Sequence, residues 1–177
     1  MIKLYGNTSG REFDAAQKIR ELIVKWKPQL LHSKDDDIKI FCGFKIWNST
    51  KKDVDIILVA NFKEKLNFNP EFNFEDRETG KFKRPIQCFV KNIICAIEVK
   101  GVSSPGVVFS GTNVSVRRDN NELEDVTDQN LQQAINLKKL LISKYLDNNA
   151  SIFVTGLIYL TELNENELPK RPHNIFG

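Results

Sequence analysis

The stretch from Phe89 to Lys100, FVKNIICAIEVK, constrains the fold of this chain most strongly, because most of its residues are apolar and many are β-branched. Such a run is typical of a strand that is buried on both faces inside a sheet. It ends in two opposite charges, Glu98 and Lys100, which side-chain alternation places on one face. A buried carboxylate without a partner costs several kcal/mol, so we expect Glu98 to contact Lys100, a metal ion or both. The alternative is a strand that surfaces at its end, with both charges solvated.

Other segments carry helix and strand patterns in turn. Apolar residues recur at helical spacing from Gly10 to Trp26, with Ser9 as the expected N-cap. A second helix is predicted from about Asp128 to Leu146, capped by Thr127 or Asp128. Strands are predicted at 38–47, 53–62, 89–100 and 151–160, and a hairpin at 106–118 that turns near 111–113. This order predicts an α/β fold with a mixed central sheet flanked by helices.

Length and composition restrict the class of protein. A chain of 177 residues with 41% hydrophobic and 28% charged residues can bury one core, so we predict a single domain over 1–177. Lys and Arg exceed Asp and Glu by 26 to 23, which is too mild a basic excess to establish a nucleic-acid partner. We find no secretory pattern and no apolar run of about 18 residues. We therefore expect a cytoplasmic protein with no membrane contact, whose three cysteines are reduced thiols.

Residues 63–88 break the pattern of regular elements and are predicted to form an insertion, and a polar tail begins at about Asn164. The aromatic residues of this insertion suit base stacking, although packing onto the domain is their more common role. They are Phe68, Phe72, Phe74 and Phe82. Basic residues in the insertion and at the end of the hairpin partly support a phosphate-backbone partner. They are Lys63, Lys65, Lys81, Lys83, Arg84, Arg117 and Arg118.

Two further acidic residues fall where a metal site needs them. Asp55 lies at the start of a predicted strand and shares a face with Ile57, whereas Asp53 better fits a turn residue. Glu12 lies on the apolar stripe of the first helix, although the helix dipole alone also stabilises a glutamate in a first turn. Carboxylates from neighbouring strands supply the oxygen ligands that a hard divalent cation requires. The acids therefore predict a candidate metal site.

Four segments, in their order along the chain, resemble the PD-(D/E)xK nuclease superfamily and are most similar to its nuclease-related domain (NERD) family. They are GREF in the first helix, VDIILV, AIEVKG followed by a hairpin, and DQNLQQA in the later helix. The resemblance covers Gly10 to about Leu160. It implies a restriction-endonuclease-like three-layer core and a metal-dependent nuclease that hydrolyses DNA phosphodiester bonds.

The resemblance also implies roles for individual residues. Asp55, Glu98, the main-chain carbonyl of Val99 and Glu12 would bind Mg²⁺ or Mn²⁺, and Lys100 would orient the attacking water and offset phosphate charge. The glutamine of the later helix would be Gln132 or Gln133, and we assign it to Gln132. Domains of this kind are commonly joined to helicases, which implies a helicase or other ATPase as a partner.

The sequence departs from the family pattern in three places. Ile56 follows Asp55 where the family usually has His, the later helix lacks an Asn-Pro opening, and the segment between the Asp and the Glu is lengthened by 63–88. The missing His motivates a rival interpretation, a non-catalytic nucleic-acid-binding or assembly module on the same fold. An RNase would use the same residues, although we favour DNA over RNA. We find no phosphate-binding glycine loop and no GxSxG elbow, which argues against a nucleotide-driven motor or a serine hydrolase.

Overall fold

The computed structural model describes residues 1–46, 53–68, 74–75, 82–83, 88–110, 113–145 and 152–167. Within these ranges the chain forms an α/β fold with a mixed five-stranded sheet, a two-stranded sheet and a three-stranded antiparallel sheet. In chain order the elements are β1 (Ile2–Gly6), α1 (Arg11–Trp26), β2 (Asp37–Lys45), β3 (Asp53–Phe68), β4 (Phe74–Glu75), β5 (Phe82–Lys83), β6 (Cys88–Lys100), β7 (Val107–Ser110), β8 (Asn113–Arg117), β9 (Leu123–Asp125), α2 (Val126–Tyr145) and β10 (Thr155–Leu160).

The main sheet has the strand order β1-β2-β3-β6-β10. Its two outer pairs, β1 with β2 and β6 with β10, are parallel, whereas β3 runs antiparallel to both of its neighbours, β2 and β6. The predicted mixed sheet is therefore confirmed, with the apolar strand β6 in its interior. Strands β7, β8 and β9 form the small antiparallel sheet directly before α2. The predicted hairpin is confirmed, and its turn at 111–112 lies outside the described residues.

Two apolar clusters show that α1 and α2 cover opposite faces of the main sheet. Ala15 and Ala16 of α1 pack with alternate residues of the central strands, among them Ile40, Ile56 and Ile97. Ala134 and Leu137 of α2 pack with the intervening residues, among them Ile57 and Ala96. Because successive side chains of a strand point to opposite faces, the two sets define two layers of core with the sheet between them.

The predicted caps of both helices are wrong. Gly10 precedes α1 and makes no side-chain capping bond, so Ser9 is not the N-cap. Before α2, the Asp125 carboxylate accepts a hydrogen bond of 2.9 Å from the amide of Asp128, which makes Asp125 the cap. The Thr127 hydroxyl instead accepts a 2.7 Å bond from the Val114 amide and so ties the start of α2 to β8.

The predicted insertion begins later than expected. Strand β3 continues to Phe68 and pairs with the first residues of β6, with Leu66 opposite Val90. Residues 63–68 are therefore part of the main sheet, because a register shift after Asn61 lets the two strands pair again. Most of 69–87, the turn at 48–52 and the tail beyond 167 lie outside the described residues. In the described chain, no helix is long and apolar enough to cross a membrane.

Candidate functional site

The predicted site residues lie at one end of the main sheet. Strands β3 and β6 are antiparallel, so the start of β3, with Asp55, meets the end of β6, with Glu98 and Lys100. The beginning of α1 reaches the same end, because Arg11, the first residue of α1, lies next to Gly101, which directly follows β6. A Cβ atom built onto Gly101 would lie 3.5 Å from Arg11 Cδ. The first turns of α2 also reach it, through Gln129. The fold thus gathers two strand ends and two helix beginnings in one place.

A bend in β2 and β3 positions Asp55. Cys42 and Ile56 pack in the cluster under α1, whereas Phe44 and Val54, two residues further along each strand, pack in the cluster under α2. Regular alternation would keep each such pair on one face, so both strands change face between these residues. In β2 the change falls at Gly43, whose φ of 64° lies in the left-handed region that favours glycine, and in β3 it falls between Val54 and Ile56. Asp55 lies on β3 within this bend.

Beyond the last paired residues of β3 and β6, the Asp55 side chain connects the two strands by a hydrogen bond. The ladder between β3 and β6 ends with Ile56 opposite Ile97. Beyond it, Asp55 Oδ2 accepts a hydrogen bond of 2.8 Å from the main-chain amide of Val99. The N–H and C=O of one strand residue point to the same side, so the Val99 carbonyl also points towards β3. Asp55 and both main-chain groups of Val99, the residue between Glu98 and Lys100, therefore lie on the same side of β6.

Glu98 is a buried carboxylate that is fully engaged by hydrogen bonds. It is 2% exposed. Its Oε1 accepts from Gln129 Nε2 at 2.7 Å and pairs with Lys100 Nζ at 2.8 Å. Its Oε2 accepts from Gln133 Nε2 at 2.6 Å. The predicted contact between Glu98 and Lys100 is confirmed, and it offsets the cost of burying the charge.

Gln133, and not Gln132, is hydrogen-bonded to Glu98 on β6. The amide of Gln133 donates to Glu98 and, at 2.8 Å, to the main-chain carbonyl of Asp53. Gln129 lies one helical turn earlier on the same face of α2, which explains why both amides reach Glu98. Gln132 is rotated about 100° away from Gln133 around the helix axis, so the structure brings Gln133, and not the predicted Gln132, to Glu98.

Sequence reasoning missed three polar residues around this site. Gln129 and Asn130 precede the predicted glutamines, and Glu124 lies on β9. Asn130 is buried and donates at 3.0 Å to the carbonyl of Ala96, which fixes α2 on β6. One signal was present in the sequence: positions 126, 130, 133, 134 and 137 form one helical stripe, so the polar side chains at 130 and 133 fall among core positions.

Lys100 connects the main sheet to the small one. Its side chain is 14% exposed, and its ammonium lies 2.8 Å from Glu98 and 3.5 Å from Glu124 Oε2. It also donates to Gln129 Oε1 at 3.3 Å. Glu124 is in turn bound by Arg118. The lysine therefore lies between two carboxylates supplied by different sheets.

Asp55 is a partly buried carboxylate with two other acids nearby. Its pKa is raised to about 6, chiefly by burial, and the nearby carboxylates of Glu98 and Glu12 act in the same direction, against the opposing effects of the Val99 amide and Lys100. Glu12 lies in the first turn of α1 and also contributes, after burial, to the raised pKa of the Cys42 thiol. The carboxylate of Glu12 thus acts on this end of the sheet, and a divalent cation would relieve the repulsion between the three acids.

The oxygen atoms at this end of the sheet are of the chemical type that binds a hard divalent cation, but the carboxylates do not converge on one point. Among the described residues, no group of three or more His, Cys, Asp or Glu side chains converges closely enough to hold a metal ion. Glu98 would have to exchange a hydrogen bond for the metal. One buried acceptor at the site is still unsatisfied within the described structure, the side-chain oxygen of Gln133. All oxygen donors named here are the type that Mg²⁺ and Mn²⁺ prefer.

Two of the basic residues predicted to support a phosphate-backbone partner are paired with acids. Lys63 Nζ lies 2.8 Å from Asp35 Oδ2, and Arg118 Nη2 lies 2.8 Å from Glu124 Oε1. Lys65 is exposed. Lys81 and Arg84, and the side chains of Lys83 and the four insertion phenylalanines, lie outside the described part of the chain, so their predicted roles stay predictions.

Comparison of the chain with protein families, with curated proteins and with solved structures found no match.

Proposed function

We propose that this protein is a divalent-metal-dependent nuclease with a restriction-endonuclease-like core, and that it hydrolyses DNA phosphodiester bonds. One observation carries the proposal: the Asp55 carboxylate accepts a hydrogen bond of 2.8 Å from the Val99 amide, which brings Asp55 beside the E-x-K segment. Asp55 of β3 and the pair Glu98 and Lys100 of β6 are then grouped at one end of the sheet, as the PD-(D/E)xK resemblance requires. The cytoplasmic location and the helicase or ATPase partner belong to the same proposal.

The residues that would hold Mg²⁺ or Mn²⁺ are Asp55, Glu98, Glu12 and the main-chain carbonyl of Val99. Support comes from the raised pKa of Asp55, which reflects burial and the two neighbouring carboxylates. When bound, the cation supplies Lewis-acid polarisation of the scissile phosphate and lowers the pKa of the attacking water.

The chain itself supplies orientation and charge. Gln129 and Gln133 fix the plane of the Glu98 carboxylate from one face of α2. In the proposed reaction the Lys100 ammonium donates hydrogen bonds to the attacking water and to phosphate oxygens, where negative charge develops. Lys100 is only 14% exposed, so its charge acts in surroundings of lower effective dielectric constant than bulk water.

A second candidate function is favoured by the hydrogen bonds of Glu98. Both of its oxygens accept bonds from α2, and Lys100 neutralises its charge. A buried ion pair of this kind is complete without a metal, which is what a non-catalytic nucleic-acid-binding or assembly module on the same fold would contain. An RNase remains the alternative within the catalytic class.

Cleavage assays with matched variants test the proposal. Supercoiled plasmid, linear duplex DNA, single-stranded DNA and RNA are incubated with Mg²⁺, with Mn²⁺ and with EDTA. Asp55→Asn removes the charge at the site, and Asp53→Asn is the matched control, because Asp53 is an exposed acid two residues away. We expect metal-dependent cleavage that falls by about 10²-fold or more in Asp55→Asn and Lys100→Ala but persists in Asp53→Asn.

Each other outcome has a defined meaning. Cleavage of RNA alone would replace the DNA assignment with a ribonuclease. Salt-sensitive binding of nucleic acid without cleavage by the wild type would support the non-catalytic module. Cleavage that survives both Asp55→Asn and Lys100→Ala would show that the active site lies elsewhere.

A further inference from the structure

Glu124 is not among the predicted metal ligands, but its carboxylate contacts the Lys100 ammonium, as that of Glu98 does. Its Oε2 lies 3.5 Å from Lys100 Nζ, and its side chain is 23% exposed. Because Lys100 is also mostly buried, solvent ions screen this interaction less than they screen a surface pair. Glu124 is therefore placed to act on the charge of Lys100.

Two features of the small sheet fix the Glu124 carboxylate. Arg118 binds both of its oxygens, with Nη2 at 2.8 Å from Oε1 and Nε at 3.2 Å from Oε2, a bidentate geometry that restrains the direction of the carboxylate. The backbone is held by pairing of Glu124 with Val116 and by the 2.9 Å bond from the Arg118 amide to the Glu122 carbonyl. The hydrogen bond from Arg118 also holds the pKa of Glu124 below its usual range, which favours the charged form.

We propose that Glu124 is a positioning residue for Lys100: it holds the Lys100 ammonium at the sheet end when an oxygen of Glu98 is taken up by a divalent cation. The catalytic consequence of this inference rests on the proposed nuclease function. Glu98 Oε1 already accepts from Gln129 and Lys100, so coordination through that oxygen must release one of them. An ammonium that loses its carboxylate partner in a buried site moves to another carboxylate or into water. Glu124 supplies that second carboxylate, so Lys100 stays beside the phosphate.

The test compares Glu124→Gln with Glu122→Gln. Glu122 is a matched control because it is an exposed neighbour whose carboxylate accepts a 2.8 Å bond from Asn120. The ¹H–¹⁵N resonance of the Lys100 ammonium, assigned by its absence in Lys100→Arg, is recorded with and without Mg²⁺, and cleavage kinetics are measured in parallel. With Mg²⁺ we expect the resonance to shift but persist in the wild type and in Glu122→Gln, and to be lost to solvent exchange in Glu124→Gln. We expect kcat to fall by about 10-fold or more in Glu124→Gln, with KM unchanged.

The readouts separate this inference from the proposed function. A Lys100 resonance that responds to Mg²⁺ identically in the wild type and in Glu124→Gln would overturn the inference, whether or not the protein cleaves DNA. Loss of the resonance in Glu124→Gln, with no cleavage by the wild type, would support the positioning role and reject the nuclease. If Glu124→Gln does not fold, Arg118→Gln gives the same readout: faster solvent exchange of Lys100 supports the inference, and no change overturns it.

Discussion

Two ion pairs of this protein have the same N···O distance, but one is buried and the other is exposed to solvent. Lys100 Nζ lies 2.8 Å from Glu98 and Lys63 Nζ lies 2.8 Å from Asp35. The side chains of the first pair are 14% and 3% exposed, whereas those of the second are 65% and 59% exposed. A surface pair is screened by water and salt, but a buried pair leaves an uncompensated charge when one partner is lost. Burial therefore distinguishes the candidate site from an ordinary surface contact.

The largest effect is expected from breaking the buried pair. Lys100→Met keeps most of the length of the side chain and removes its charge, leaving Glu98 buried with only the two glutamine amides. We expect a loss of about 3 kcal/mol in the free energy of unfolding, the lower end for a broken buried pair, because those amides remain. Urea unfolding measures it. The double variant Lys100→Met with Glu98→Gln should recover much of the loss, and a single-variant cost no larger than that of Lys63→Met would contradict the account.

A smaller loss is expected from the glutamines of α2. Gln133→Ala leaves an oxygen of Glu98 and the Asp53 carbonyl without their donor, which should cost about 2 kcal/mol in unfolding free energy. Gln132→Ala is the matched control on the adjacent position and should change stability by less than about 0.5 kcal/mol. Unfolding by urea compares the two. Equal effects would mean that the Gln133 contacts do not stabilise the fold.

Asp55→Asn should stabilise the protein near neutral pH in the presence of EDTA. Because the pKa of Asp55 is raised from 3.8 to about 6, the folded state binds the proton more tightly than the unfolded chain. The contribution of Asp55 to the free energy of unfolding therefore falls as the pH rises from about 4 to about 6 and is constant above that. At pH 7 the full shift corresponds to roughly 3 kcal/mol, reduced to about 1 to 2 kcal/mol by partial exposure of the carboxylate.

Urea unfolding at pH 4, 5.5 and 7 checks this prediction. The stability advantage of Asp55→Asn over the wild type should grow between the first and the last pH. Asp53→Asn is the control and should follow the wild-type profile. An advantage that does not depend on pH would show that burial of the Asp55 charge is not its cause.

The smallest effect is expected from the surface pair. Lys63→Met should leave the urea midpoint unchanged within the error of the measurement, because its pair with Asp35 is open to solvent. Raising the salt concentration should change the wild type and this variant alike. A loss of stability comparable with that of Lys100→Met would remove the distinction between the two pairs.

Much of the site was predictable from local pattern. Side-chain alternation alone placed Glu98 and Lys100 on one face, and the apolar run predicted burial of Glu98, both of which the structure confirms. The periodicity of the two helices and the order of the strands were sufficient for the α/β class and the mixed sheet. These features depend on residues close in sequence, where one-dimensional patterns are informative.

The rest depends on contacts between distant segments. The bond from the Val99 amide to Asp55 requires the end of strand pairing between β3 and β6, which no local pattern encodes. Glu124 reaches Lys100 only because β9 leads directly into α2 at the edge of the site. The choice between Gln132 and Gln133 depends on the rotation of α2 about its axis. Successive side chains of a helix point about 100° apart, so an error of one residue selects the wrong face.

Anomalous diffraction from a crystal grown with Mn²⁺ would test most directly whether Asp55 and Glu98 form a metal site. We predict a peak bonded to both carboxylates at roughly 2.1 Å, the ligand distance of Mg²⁺, with Lys100 moved from Glu98 towards Glu124. An Mn²⁺-saturated crystal with no peak at this end of the sheet, and with Glu98 still bound by Gln129, Gln133 and Lys100, would contradict it. The pair would then be a structural element of a non-catalytic module.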